Sequence, residues 1–157
     1  MYLHRKLETR DIEAICTFPQ SEEELLFMSP RFVYPLTSDQ IIGLAKDRFE
    51  PTVIIDKQTK KVVAYANIYK DEDGFWLGNV VVSPGYRGQG ASQYLIQVMM
   101  DKAKNLLKLE QLKLVCHNTN SRGLAFYSKL GFKPYDVKNV FNGQTKLITI
   151  LMSKELH

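Results

Sequence analysis

"VVVSPGYRGQGAS", residues 80–92, contains the change of period that decides the fold. Three consecutive valines read as a buried strand, because β-branched side chains suit a covered, pleated surface. Ser83-Pro84-Gly85 ends that run, and a basic turn holding Gly88 and Gly90 follows. From there the apolar positions fall at Ala91, Tyr94, Leu95, Val98, Met99, Ala103, Leu106 and Leu107, the spacing of one helix face. A strand therefore hands over to a helix through glycines. Backbone N–H groups at such a junction can converge on an anion, and the helix dipole adds favourable partial charge. The stretch has no GKS/T, so it is not a Walker loop. It is not the GxGxxG of a dinucleotide fold either, and no ribose-binding acid follows in a βαβ unit. The residues alone fit a tight turn and a phosphate cradle equally well.

Upstream, PTVIID (51–56) and KVVAYANIY (61–69) are β-branched and aromatic runs joined by the polar KQTK, a hairpin pattern. DEDG (71–74) is a second turn, and FWLGNVVV (75–82) continues the meander. YLHRKL near the start is a short strand. Thr9 is placed to cap a helix reaching about Phe18, with Asp11 and Glu13 in its first turn. Ser21-x-x-Glu24 and Thr37-x-x-Gln40 match the capping box and predict two more helix starts, with the proline-broken MSPRFVYPL between them. Downstream, LKLVC (112–116) is a strand, and Ser121 to Leu130 is a helix stopped by Gly131. FKPYDVKNVF and QTKLITILM flank Asn142-Gly143, a strong hairpin signal. The order is strand, helices, three strands, helix, strand, helix, two strands. That is a mixed sheet with helices on its faces, an α/β or α+β arrangement and not a doubly wound parallel sheet.

Composition narrows the class. The 157 residues suffice for one domain with a real core, expected over 1–157, and 45% hydrophobic with 24% charged residues is ordinary for a globular chain. No apolar run has membrane-spanning length, and the start lacks the apolar stretch of a secretory signal, so no membrane and a cytoplasmic location are expected. Two distant cysteines and three scattered histidines offer no metal constellation. A net charge of +4 suits anionic ligands in general, but the lysines are dispersed and no nucleic-acid motif is present, so no nucleic acid is expected as a partner.

A second stretch sharpens the reading. NTNSRGLAFYSKLGF, residues 118–132, follows a strand and opens the helix that ends in LGF. Together with V-x-P-x-Y-R-G-Q-G it resembles the GNAT superfamily of acetyl-CoA-dependent N-acetyltransferases. The first stretch matches Q/R-x-x-G-x-G/A, with Arg87 and Gly90 in place and Ser92 at the last small position. The second matches N-x-x-A-x-x-L/F-Y-x-K-x-G-F, with Gly123 at the alanine position. One helix and one strand separate the two motifs, as in the family.

The resemblance implies a mostly antiparallel sheet of about seven strands flanked by about four helices, splayed between the fourth and fifth strands. It implies acetyl-CoA as acetyl donor, no metal, and an amine as partner, in a monomer or homodimer. The backbone of Val80, Val81 and Val82 would pair with the pantetheine arm. The amides of Gly88, Gln89, Gly90, Ala91, Ser92 and Gln93 would hold the pyrophosphate, assisted by Arg87. Asn120 would touch the cofactor arm, and Tyr127 would protonate the departing thiolate as general acid. Some relatives carry a glutamate base on the strand before Asn120, where Val115 stands here; His117 or a water chain is left for that task. The acceptor pocket would draw on Phe27, Met28, Phe32 and Tyr34, with Tyr65, Asn67, Trp76 and Asn79 from the strands. The activity implied is acetyl transfer to a primary amine of a small molecule or peptide, by direct attack in a ternary complex. The alternative is a non-catalytic module that binds acyl-CoA.

Overall fold

Alternating β-branched residues make the centre of the molecule a sheet, and short amphipathic segments cover both of its faces. The computed structural model describes all of residues 1–157. In chain order the elements are β1 (Tyr2–Lys6), a 3-10 turn (Thr9–Asp11), α1 (Ile12–Ile15), α2 (Glu22–Met28), α3 (Ser38–Ala45), β2 (Phe49–Asp56), β3 (Val62–Asp71), β4 (Gly74–Val82), a 3-10 turn (Pro84–Tyr86), α4 (Ala91–Asn105), β5 (Gln111–His117), α5 (Ser121–Lys129), β6 (Lys133–Asn142) and β7 (Thr145–Glu155). The seven strands form one sheet in the order β1-β2-β3-β4-β5-β7-β6. Every neighbouring pair is antiparallel except β4–β5, which is parallel.

Successive side chains on a strand point to opposite faces, so β3 divides the core. Ala64, Ala66 and Ile68 pack with Leu95, Met99 and Ala103 of α4 in one buried cluster. Tyr65 packs with Ile15 of α1, Leu25 of α2 and Ile41 of α3 in the other.

The parallel β4–β5 pair is short. It is registered at Trp76↔Lys113 and Leu77↔Leu114 only, and past Leu77 the two strands part. A bulge in β4 accompanies the parting. Tyr65↔Val81 and Asn67↔Gly78 are successive pairs with β3, which leaves one extra residue on β4, and Asn79 there takes a left-handed φ of 55°. The splay expected between the fourth and fifth strands is thus built from a bulge and a truncated ladder.

Two local details differ from the sequence reading, at the first helix and at the second capping box. The helix expected from Thr9 to Phe18 is a 3-10 turn followed by the four-residue α1, so the helices number five, the first a single turn. Asp11 turns back to accept from the Glu8 N–H at 2.8 Å and from two Arg5 nitrogens at 2.7 and 2.8 Å, tying the end of β1 to the helix start. Ser21 caps α2 as its motif predicts, accepting from the Glu24 N–H at 3.1 Å. Thr37 does not cap α3 with its side chain. Gln40 instead reaches back, accepting from the Val33 N–H at 2.7 Å and donating to the Val33 carbonyl at 2.9 Å, so it holds the loop that the prolines break.

Candidate active site

Where β4 and β5 part, a cleft of about 1150 Å³ runs from the 80–92 turn to the far side of α3. Single-ligand pockets hold roughly 300–1,000 Å³, so there is room for two reactants. Val80, Val81 and Val82 line it with β4's edge, Leu114, Val115 and His117 with β5's, and Asn120, Arg122, Gly123, Phe126 and Tyr127 close it from α5.

The glycine turn forms one end. Gly88 and Gly90 have φ of 77° and 87°, the left-handed region where only glycine is free of strain, and Gly90 is the N-cap of α4. No protein carbonyl receives the N–H groups of Gly88, Gly90, Ala91, Ser92 or Gln93, so five donors gather at the helix start. The Gln89 N–H differs, donating to the Tyr86 carbonyl at 3.3 Å. Gln89 also gives its side-chain amide to the Gly85 carbonyl at 2.7 Å and receives the Tyr2 hydroxyl on its own carbonyl at 2.9 Å. It therefore braces the turn and is absent from the cleft wall, as is the fully buried Ala91 side chain. The Tyr86 hydroxyl adds another brace by donating to Asp56 at 2.6 Å.

Arg87 is also largely committed within the protein. Its guanidinium donates twice to the Glu24 carboxylate, at 2.8 and 3.1 Å, and to the carbonyls of Phe18 and Val82 at 3.0 and 3.2 Å. Those hydrogen bonds hold the Glu24 carboxyl below its ordinary range. Four of the five guanidinium N–H groups are thereby used, which differs from an arginine free to meet phosphates.

Tyr127 lies across the cleft from β4. Burial pushes its phenol far above the usual tyrosine range, with Cys116 adding to the effect, so it keeps its proton throughout the working range. Its hydroxyl meets no hydrogen-bond partner in the protein and is free to donate into the cleft. Cys116 itself is buried, its thiol pushed up to about 11. His117, at the end of β5, is 6% exposed with its ring 5.5 Å from that of Phe27. Desolvation lowers its pKa, so the imidazole is neutral near pH 7 and can accept a proton. Asn120 caps α5 by accepting from the Gly123 N–H at 3.0 Å. A Cβ on Gly123 would stand 2.5 Å from the Asn120 amide nitrogen, so the glycine at the alanine position makes room for that carboxamide.

The other end contains the residues expected to meet an acceptor. Phe27, Met28, Phe32 and Asn79 line the cleft. Asn67 and Tyr65 lie beneath its floor: the Asn67 amide donates to the Tyr65 hydroxyl at 2.8 Å and to Asn79 Oδ1 at 2.9 Å, and Asn79 donates to the Met28 carbonyl at 3.3 Å. Tyr34 and Trp76 are not brought to the wall. Tyr34 is exposed on the loop, and the buried Trp76 donates to Asp71 at 2.8 Å and stacks behind Tyr69. Sequence reasoning missed Arg48, Tyr69 and Gly78 on this wall. The shared face of Tyr65, Asn67 and Tyr69 was the one available hint.

The sequence model of the acetyltransferase (GNAT) family matches residues 12–132. No curated protein matches the chain significantly. Among solved structures, the GNAT-family acetyltransferase from Bacillus anthracis superposes with a TM-score of 0.80 at 17% identity, covering 99% of this chain and 95% of that one. The ribosomal-protein-S18-alanine N-acetyltransferase from Escherichia coli gives 0.76 at 22% identity, covering 99% and 94%. A mutant of the spermidine N-acetyltransferase SpeG from Vibrio cholerae gives 0.77 at 16% identity, covering 99% and 94%. At these identities the likeness establishes the fold.

Proposed function

The chain belongs to the acetyltransferase (GNAT) family, and from that premise we propose that it transfers an acetyl group from acetyl-CoA to a primary amine by direct attack in a ternary complex. All seven strands, drawn from the whole chain, join one sheet, which supports a single domain over 1–157. The observation that carries the reading is the splayed β4 edge leading to five free N–H groups at the start of α4, with the Tyr127 hydroxyl unpartnered beside it.

The donor set suits the cofactor. Converging amides at a helix N-terminus bind a pyrophosphate without a metal, and Gly88, Gly90, Ala91, Ser92 and Gln93 would hold it. The free edge of Val80 to Val82 would align an amide-bearing arm as an added strand. Acetyl-CoA would supply a thioester whose carbonyl an amine can attack. A β4 N–H aimed into the gap would stabilise negative charge developing on that oxygen. Neutral His117 would take the proton from the attacking nitrogen. Tyr127, held protonated by burial, would donate to the departing sulfur. Binding both partners in one cleft converts their encounter into a local event.

Acetyl-CoA mixed with the protein and a panel of amines, followed by free thiol, tests the reading. Amine-dependent thiol release is expected. Tight acetyl-CoA binding with no amine-dependent thiol over the whole panel would instead make the chain a binding module.

A further inference from the structure

We propose that the acceptor is a small amine with an anionic group close to its nitrogen, an amino carboxylate or an aminophosphonate, and that Arg48 binds this group. The proposal rests on the acetyl-transfer reading and specifies its substrate class.

Arg48 sits between α3 and β2 and lines the acceptor end of the cleft. One of its nitrogens donates to Asn67 Oδ1 at 2.9 Å, and its guanidinium carbon lies 4.3 Å from the centroid of the Tyr69 ring. That is the side chain's one hydrogen bond to the protein, and no carboxylate lies within 4.0 Å of it. A half-buried guanidinium without a carboxylate is a costly arrangement unless a ligand supplies one. Its remaining N–H fork matches the two oxygens of a carboxylate or phosphorus oxyanion.

The surroundings hold this group in place. The Asn67 amide nitrogen is already given to Tyr65 and Asn79, so its carbonyl oxygen has to face Arg48. Stacked against Trp76, Tyr69 supplies the flat surface under the guanidinium. Gly78 leaves the space it fills, since a Cβ there would stand 2.5 Å from the nitrogen of Arg48 that meets Asn67.

Charge around the cleft agrees. Arg31, Lys70, Asp39 and Asp47 line the same end and are all exposed, so the two signs offset there and half-buried Arg48 is left without an ion pair. Glu24 is neutralised by Arg87, and Glu23 is exposed on the first turn of α2. Arg122, the other cleft cation, belongs to α5, and His117 at the end of β5 is neutral. A polycationic acceptor would meet the unpaired, half-buried charge of Arg48. Along β4, Gly78 precedes Val80, the start of the edge proposed to hold the donor arm, by two residues, at most about 7 Å of strand, a span that one small molecule bearing both anion and amine can bridge.

The test measures thiol release for amino carboxylates, the matching aminophosphonates, their uncharged carboxamides, and spermidine. Thermal shifts with acetyl-CoA and with each amine are recorded alongside. Anionic acceptors should exceed their carboxamides in kcat/KM, the carboxylate and phosphonate arms showing which oxyanion fits. Arg48→Met should cut that preference roughly 10- to 100-fold, chiefly through KM, and abolish the amino-acid thermal shift while keeping the acetyl-CoA shift. Gly78→Ala, which displaces the guanidinium without removing its charge, should reduce the same ratio. Carboxamides or spermidine used as well as the anionic acceptors, with Arg48→Met unchanged in preference, would overturn the proposal and leave acetyl transfer standing. Loss of every acetyl-CoA shift and of all thiol release in the native protein would overturn both.

Discussion

Burial shifts the titration of two side chains in the cleft in opposite directions. Burial raises the Tyr127 phenol, which makes it a poor base and a persistent proton donor. Tyr127→Phe keeps the ring and its contact with Phe132 and removes only the donor. Turnover should fall roughly 10²-fold, with acetyl-CoA affinity unchanged by calorimetry; equal turnover in the variant would end the acid role. Burial has the opposite effect on His117, lowering its pKa because the charged imidazolium loses water. A base must be neutral to act, so under the proposed role its protonation would set the acid limb of the rate profile. With a folded pKa below the usual value of about 6.5, kcat/KM should hold from pH 7 to below that value and then decline. His117→Ala should lower the plateau and remove that limb. A profile of unchanged shape would assign the limb to a relay of water.

At the scale of elements, the 80–92 turn acts as one unit because three others brace it. Tyr2 of β1 bonds the Gln89 carbonyl, Asp56 of β2 receives Tyr86, and Glu24 of α2 receives Arg87. Glycine at position 90 is required by conformation: a Cβ there meets nothing within 4 Å, but φ is 87°. Gly90→Ala should therefore cost about 1–2 kcal/mol through its left-handed backbone and weaken acetyl-CoA binding more than it lowers the melting temperature. The arginine offers a sharper discrimination. Glu24→Gln and Arg87→Met both release the turn from α2, so each should weaken acetyl-CoA binding modestly and to a similar degree. If the Arg87 charge served the phosphates, Glu24→Gln would free it, and affinity would rise with a steeper salt dependence. The turn, both motif helices and the order of elements along the chain were legible in the sequence because period, glycine placement and Ser21 are local signals. The second capping box was misleading for a physical reason. Gln40 finds better partners in the proline-broken loop than at the start of its own helix.

Across the whole molecule, what the sequence could not disclose is contact between distant residues. Arg48 lies in an unremarkable polar link, and its partners Asn67, Tyr69 and Gly78 stand 19 or more positions away on two strands. The fate of Arg87 depended on Glu24, 63 positions earlier. The same long-range pairs set how stability responds to acid. Asp11, whose side chain is 2% exposed, is raised by burial but lowered further by its Arg5 and Glu8 hydrogen bonds, so its carboxyl ends below the ordinary range. Glu24 lies below it as well, through Arg87. In the unfolded chain both return to about 4, so as pH falls the unfolded state takes up protons first. Stability from these pairs is therefore complete above about pH 5 and is lost as pH falls through the folded values. Thermal midpoints should ease down below about pH 6.5, where the His117 imidazole takes up a proton more readily in the unfolded chain, and drop steeply below pH 4. Asp11→Asn removes one charged partner and should cost about 1–3 kcal/mol at pH 7, while flattening the acid decline. An Asp11→Asn protein whose midpoint fell as steeply below pH 4 as the native one would show that the clamp between β1 and the first helix contributes nothing to acid sensitivity.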